Sequence, residues 1–222
     1  MVSSQRLQTG FTLPEMLVVV AIIGVAAALA APRFQQMQDN QQLKDVSREV
    51  GNTLRLARAL AIQSGNNHIV YFATTSTTDA CGNDLEDAAG KAVPVLILDD
   101  GKPGTGNCCI NAGEATTTQP AAPGVSWGVT AATSKNPADA GQGDYKTGVS
   151  FADAAGIQTR WVMFRPDGIP VGVSSACVPG QVGSGGGGVY VTNTNYDFAA
   201  ILTPLGGITV RGFDRGKSQW QN

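Results

Sequence analysis

Residues 10–31 read GFTLPEMLVVVAIIGVAAALAA, and their reading decides the fold. From Phe11 to Ala31 the run is 21 residues long and carries one charge, Glu15. As an α-helix rising 1.5 Å per residue it spans about 31 Å, the thickness of a bilayer's hydrocarbon core. Ahead of it lie ten polar residues, MVSSQRLQTG, with Arg6 as their charged side chain. Behind it, after Pro32, the pattern changes to apolar residues mostly three and four apart: Phe34, Met37, Leu43, Val46, Val50, Leu54, Ala57 and Ala61. Asp39, Lys44, Asp45, Arg48, Glu49, Arg55 and Arg58 fall largely between them, which predicts an amphipathic helix of about eight turns. One helix therefore runs from a membrane-spanning half into an amphipathic half, interrupted only by Pro32. Gly65-Asn66-Asn67 supplies its stop signal.

Two readings of this N-terminal region compete. In the first, Arg6 is the n-region of an ordinary secretory signal and Met16–Val25 its apolar core. Ala28-Leu29-Ala30 is then the small-residue cleavage site before Ala31, and the product is a soluble periplasmic binding protein. Against it stands Glu15, because a carboxylate within a bilayer costs roughly 2.5 kcal/mol or more at mid-depth and marks function there. The amphipathic continuation beyond Pro32 also needs the helix before it.

The rest of the chain is exported in character. The 222 residues are 42% hydrophobic but only 14% charged, with 28 Gly, 4 Cys, one His and a net charge of −2. A charge near zero gives no global reason to bind nucleic acid, and one histidine excludes any site built on two. After Gly65 the hydrophobic period falls towards two. Strand-like runs appear at 68–73, 93–98, 125–130, 148–151, 160–165, 189–192, 198–203 and 207–213, with loop-like stretches at 74–92 and 99–147. Gly183–Gly188, GSGGGG, reads as a flexible connection. The fold class expected is α+β: a long N-terminal helix packed on a mostly antiparallel sheet domain.

Cys81, Cys108, Cys109 and Cys177 lie beyond the apolar run. Four cysteines permit three connectivities, and a bond between adjacent Cys108 and Cys109 is strained, so each of that pair is expected to join Cys81 or Cys177. No C-x-x-C spacing supports zinc. Residues 79–114 carry seven acids, Asp79, Asp84, Glu86, Asp87, Asp99, Asp100 and Glu114, against Lys91 and Lys102. Their spacing matches no EF-hand loop and reads as a solvated acidic loop rather than a calcium site. Arg211, Arg215 and Lys217, with Phe213 and Trp220, make a small basic-aromatic tail. No glycine pattern for nucleotides precedes a helix. No catalytic site, cofactor or metal is read from the sequence.

Gly10-Phe11-Thr12-Leu13-Pro14-Glu15 resembles the processing site of type IV pilins and type II secretion pseudopilins. In that family a prepilin peptidase cuts after the glycine and methylates the new N-terminal residue, here Phe11. Counted from Phe11, Glu15 falls fifth, Gly24 fourteenth and Pro32 twenty-second, and all three match the family pattern. Pro14 departs from it, but a proline in the first helical turn forfeits no intrahelical hydrogen bond. Gly10 places no Cβ at the scissile bond, where a peptidase must approach the backbone. Glu15 is implied to neutralise the Phe11 amine of a neighbouring subunit inside an apolar filament core, where opposite charges attract more strongly than in water. The simpler alternative is a carboxylate capping its own helix. Gly24 and Pro32 are implied to let this stretch lose helicity during assembly.

LRLARALAIQ at 54–63, HIVYF at 68–72, WVMFRPDG at 161–168 and AAILTPLGGITV at 199–210 further resemble GspH/FimT-type minor pilins and pseudopilins. Some FimT-like proteins bind DNA through a C-terminal Gly-Arg-x-Arg motif. That motif is absent here, and three cations give only weak, salt-sensitive binding, so nucleic acid is not an expected partner. The resemblance implies a leader at 1–10, a membrane and assembly helix at 11–31, its amphipathic continuation at 32–65 and a β-rich domain at 66–222. It also implies prepilin peptidase, other pilins and an inner-membrane assembly platform as partners. The chain is then a non-enzymatic subunit, held in the bacterial inner membrane by a single span before it joins a pilus or pseudopilus.

Overall fold

The computed structural model describes residues 12–119, 124–193 and 195–221, the side chain of Pro32 apart. Helix α1 occupies Leu13–Ser64, 52 residues that continue through Pro32. It ends where Gly65 takes the left-handed conformation, φ 71°, and donates its N–H back to Ala61 O at 3.1 Å. That closure is open to glycine at little cost and is the usual way to satisfy a terminal carbonyl. Two compact units divide at Asp39/Asn40. Up to Asp39 the described apolar side chains of the helix are exposed, Leu13 at 76% and Leu29 at 72% among them.

From Asn40 on, α1 buries a single stripe: Leu43, Ser47, Val50, Leu54, Ala57 and Ala61. The spacing of four and three is that of one helix face. Ser47 is the polar member that apolar periodicity misses, and its hydroxyl is satisfied by Lys44 O at 2.7 Å.

Among the described residues the strands form two five-stranded antiparallel sheets. The first contains β1 (His68–Phe72), β2 (Val95–Asp99), β3 (Thr116–Gln119), β5 (Trp161–Phe164) and β6 (Pro170–Val171), in the order β3-β2-β1-β5-β6. The second contains β4 (Ser126–Trp127), β7 (Gly187–Thr192), β8 (Asp197–Leu202), β9 (Ile208–Asp214) and β10 (Gln219–Gln221), in the order β10-β9-β8-β7-β4. The α+β reading is thus correct, with two sheets rather than one. Strands β3, β6 and β10 escape the sequence reading. Conversely, residues 148–151 contribute an isolated bridge, Val149 to Val189, and no ladder strand.

Inner-facing Val70, Phe72, Ile97 and Phe164 of the first sheet meet Val189, Ala200 and Leu202 of the second against the helix stripe. Phe72 stacks on Phe151 with ring centroids 5.8 Å apart. The other face of the first sheet is also covered: Ile69, Tyr71, Leu96 and Met163 pack beneath Leu85, Val93 and Cys108 of the long loops. Burial on both faces is why HIVYF is apolar at every position but the first instead of alternating. The second sheet is tied to α1 by Arg55 Nη2 to Ile208 O at 3.1 Å and Arg58 Nη1 to Gly206 O at 2.9 Å.

Asp197 anchors the far side of that sheet. It is fully buried and accepts from the N–H groups of Thr130, Ala131 and Ala132 and from the hydroxyl of Thr192. Burial alone pushes a carboxyl up, but these donors outweigh it and hold Asp197 below the usual carboxylate range.

The glycine-rich stretch corrects the flexible-linker reading. Gly185, Gly186, Gly187 and Gly188 are buried, and the last two begin β7. A Cβ on Gly186 would sit 2.9 Å from Pro204, one on Gly188 2.8 Å from Tyr190, and one on Gly187 inside the Phe151 ring. Close packing, not mobility, demands glycine there. Gly187→Ala should therefore destabilise the domain by about 1–3 kcal/mol through overpacking, read as a lower denaturant midpoint at unchanged slope.

Candidate functional site

The N-terminal end of α1 presents the first group of predicted residues. Gly10 and Phe11 lie outside the described residues. Thr12 is the residue before the helix, and its carbonyl accepts the first helical bond from Met16 N at 3.2 Å. Glu15 is the third helical residue, and its Oε2 accepts from Thr12 N at 3.4 Å and lies 3.5 Å from Thr12 Oγ1. Thr12-x-x-Glu15 therefore makes one half of a capping box, the half in which the acid serves the backbone N–H of the cap residue. The carboxylate remains exposed, as do Met16, Val19 and Ile23 beyond it. Gly24 has no atom within 4 Å of where a Cβ would stand, and Pro32 lies inside the helix. This segment is long and apolar enough to cross a membrane, and none of its most apolar window is buried. Its side chains have no use in a monomer dissolved in water.

The cysteines pair as Cys81–Cys109 and Cys108–Cys177. Each adjacent cysteine thus fastens a different loop, the first bridge closing 28 residues and the second 69. The sulfurs of Cys108 and Cys177 come near Asp100, but being joined to one another they offer no thiolate, so this trio is not a metal centre.

Of the seven acids at 79–114, Asp79 and Asp100 are not on the solvated loop surface expected, while Asp84 and Glu86 are. Asp79 and Asp100 are each 3% exposed. Asp79 accepts from the N–H groups of Cys81 and Asn83, both at 2.8 Å, and of Ile110 at 2.7 Å. Asp100 accepts from Asn107 N at 3.1 Å and Cys108 N at 2.7 Å. They satisfy loop backbone that has no strand partner. Burial raises both carboxyls. At Asp79 the donors, led by Ile110 N–H and the Asn83 side chain, outweigh it and the net shift is downward. At Asp100 burial wins and the shift is upward, with Glu114 and Asp99 adding to it. Beside them, the Tyr71 hydroxyl donates to Cys108 O. Sequence reasoning missed these roles because a buried acid that organises backbone looks the same in a sequence as one facing solvent.

Arg211 lies within β9, Lys217 is 3.9 Å from Asp214, and Arg215 Nη2 reaches Thr130 Oγ1 at 3.3 Å. Trp220 meets Tyr190 and Phe213 edge-on at 5.6 and 5.3 Å, and its Nε1 donates to Ser134 O. The aromatic groups of the tail are engaged in packing.

Comparison with known proteins agrees with the helix. Residues 5–31 match the family model of the prokaryotic N-terminal methylation motif. The type IV major fimbrial protein FimA of Dichelobacter nodosus is 32% identical over 92 residues, 40% of this chain and 59% of that protein. A fimbrial protein of Pseudomonas aeruginosa is 36% identical over 104 residues, 45% of this chain and 65% of its own. A probable minor fimbrial protein of D. nodosus is 33% identical over 88 residues, 40% of this chain and 55% of its own. The chain thus spans less than two thirds of the length of these relatives. No solved structure matches. The matched motif covers the start of α1, the part of the chain whose apolar side chains are exposed. Over these stretches the chain is similar to type IV fimbrial proteins, which are structural proteins by name.

Removing the longer bridge tests the loop architecture. Cys108→Ser with Cys177→Ser should cost about 4 kcal/mol by the chain-entropy relation for a loop of that length. Equilibrium denaturation of the oxidised protein and the double variant measures it.

Proposed function

We propose that this chain is a minor pilin or pseudopilin of the GspH/FimT type. In this reading prepilin peptidase cleaves Gly10–Phe11 and methylates Phe11. The mature chain waits as a single span in the inner membrane, with residues 66–222 outside the cytoplasm. An assembly platform then moves it into a pilus or a secretion pseudopilus.

The observation that supports this most directly is the exposed apolar helix beginning at Leu13, whose sole charge over its first turns is Glu15. Within a filament core that carboxylate answers the Phe11 amine of the neighbouring subunit, and either charge left alone there is strongly disfavoured. Gly24, with no Cβ, and Pro32, with no N–H, are the places where the helix gives way as subunits pack. The bridged loops suit a domain folded outside the cytoplasm. Of the relatives, the probable minor fimbrial protein bears most closely on a minor role.

Sequencing of the mature protein should begin at N-methylated Phe11, and a chain beginning at Ala31 would overturn the reading in favour of a soluble exported protein. Glu15→Gln separates the two roles of the acid, because glutamine also completes a capping box but carries no charge. We expect the variant to be inserted and cleaved normally, yet recovered in sheared filaments at roughly a tenth of the wild-type level or less, a deficit of ~1.4 kcal/mol or more. Normal incorporation leaves Glu15 as a helix cap.

A further inference from the structure

We propose that His68 and Asp99 form a binding site for a divalent transition-metal cation, in the hollow between the C-terminal end of α1 and the edge of the first sheet. His68 opens β1, and Asp99 is its cross-strand partner on β2. The two side chains face each other with Nε2 and Oδ2 3.9 Å apart. The imidazole is only 5% exposed, yet its Nδ1 is buried with no hydrogen-bond partner among the described residues, and Nε2 is beyond hydrogen-bonding distance of Asp99. The nitrogen open to a ligand is Nε2, which faces the Asp99 carboxylate without bonding to it.

The surroundings select the kind of ligand. The hollow, about 410 Å³, is lined by both residues together with Gln63, Ser64 and Thr117. Gln63 and Ser64 end α1, where the helix presents the negative end of its dipole, and α1 has no basic residue in its last turn to offset it. With the Asp99 carboxylate beside it, the site attracts a cation. A neutral imidazole nitrogen next to a carboxylate oxygen suits zinc, copper or nickel, whereas calcium and magnesium prefer oxygen alone.

The distances allow it. Two ligand atoms each about 2.0–2.2 Å from one metal can stand up to about 4 Å apart, and close to about 3.3 Å in a tetrahedron. Asp99 is 24% exposed and 3.9 Å from the ring, within that upper limit, while the ring is fixed by burial. Asn66 Nδ2 donates to both Asp99 oxygens, at 2.9 and 3.1 Å, and Gly101 N to Oδ1 at 3.1 Å. Those donors orient the carboxylate as outer-shell partners orient metal ligands, and leave it lone pairs for the ion. Water completes the coordination from the exposed rim formed by Gln63 and Ser64. The ion would clip the end of α1 to the β1–β2 ladder.

His68 is the single histidine of the chain, which makes the test unambiguous. The full-length protein in detergent micelles is titrated with zinc chloride by calorimetry and loaded with copper(II) for electron paramagnetic resonance. We expect stoichiometric zinc binding and copper spectra with the superhyperfine pattern of a single imidazole nitrogen. Affinity should fall roughly tenfold to a hundredfold in both His68→Gln and the near-isosteric Asp99→Asn, each checked for native circular dichroism. Absence of stoichiometric binding overturns the proposal and leaves His68 as a partner for Asp99 when protonated. Binding unchanged in His68→Gln overturns it too, since the ion is then held elsewhere. A loss in His68→Gln with none in Asp99→Asn overturns it as well, since Asp99 is then no ligand. The copper spectrum of the unaltered protein decides the matter even if a variant does not fold.

Discussion

The backbone hydrogen bonds of α1, short of one donor at Pro32, run from an exposed apolar segment into a packed core, and the rest of the domain is arranged around that helix. Hydrocarbon tolerates no unpaired backbone polar group, so the segment beginning at Leu13 has to be helical if it is to cross a membrane. Beyond Asn40 the same helix becomes the spine of a core in which Val50, Leu54, Ala57 and Ala61 pack with residues of both sheets. Changing the solvent changes only which side chains are apolar. Around the first part they face every direction, and along the second they keep to one face.

That difference was the most legible feature of the sequence, because each regime leaves its own period. The helix stop at Gly65 and most strands were legible for the same reason. What escaped was structure whose signal is not hydrophobic. Strand β3 is Thr-Thr-Thr-Gln at a sheet edge, with its first residues exposed, so no alternation marks it. Strand β10 has the sequence Gln-Trp-Gln, and its one apolar residue is held by Tyr190 and Phe213, far away in the chain. The run Gly185–Gly188 misleads in the opposite direction. Its composition is that of a linker, but Phe151, Tyr190 and Pro204 occupy the space where side chains would stand.

The candidate site divides in the same way. Glu15 stands out because it breaks an apolar run, and the structure adds a second relation, to Thr12 N, that bears on how its role has to be tested. The acids at 79–114 are conspicuous as a group but not as individuals. Asp79 and Asp100 share burial and loop N–H partners, yet their carboxyls shift in opposite directions because Asp79 gathers more donors and Asp100 has Glu114 and Asp99 nearby. Net charge over a segment cannot reveal which member is an internal brace. His68 carried no signal at all, since one histidine in a strand reads as an ordinary core residue until its neighbours are known.

The pairing of the adjacent cysteines bears on how the domain matures. Cys108 and Cys109 are separated by a single peptide bond but belong to different bridges. If either one oxidises with the other's partner, the remaining two are forced into the wrong bond as well, so errors come in pairs and must be undone in pairs. In the folded domain Asp100 holds the Cys108 N–H and Tyr71 its carbonyl, which fixes the backbone of this twin where its bridge to Cys177 forms. The folded domain thus favours one of the three possible pairings, and a catalyst of disulfide exchange acting on it would be drawn towards that product.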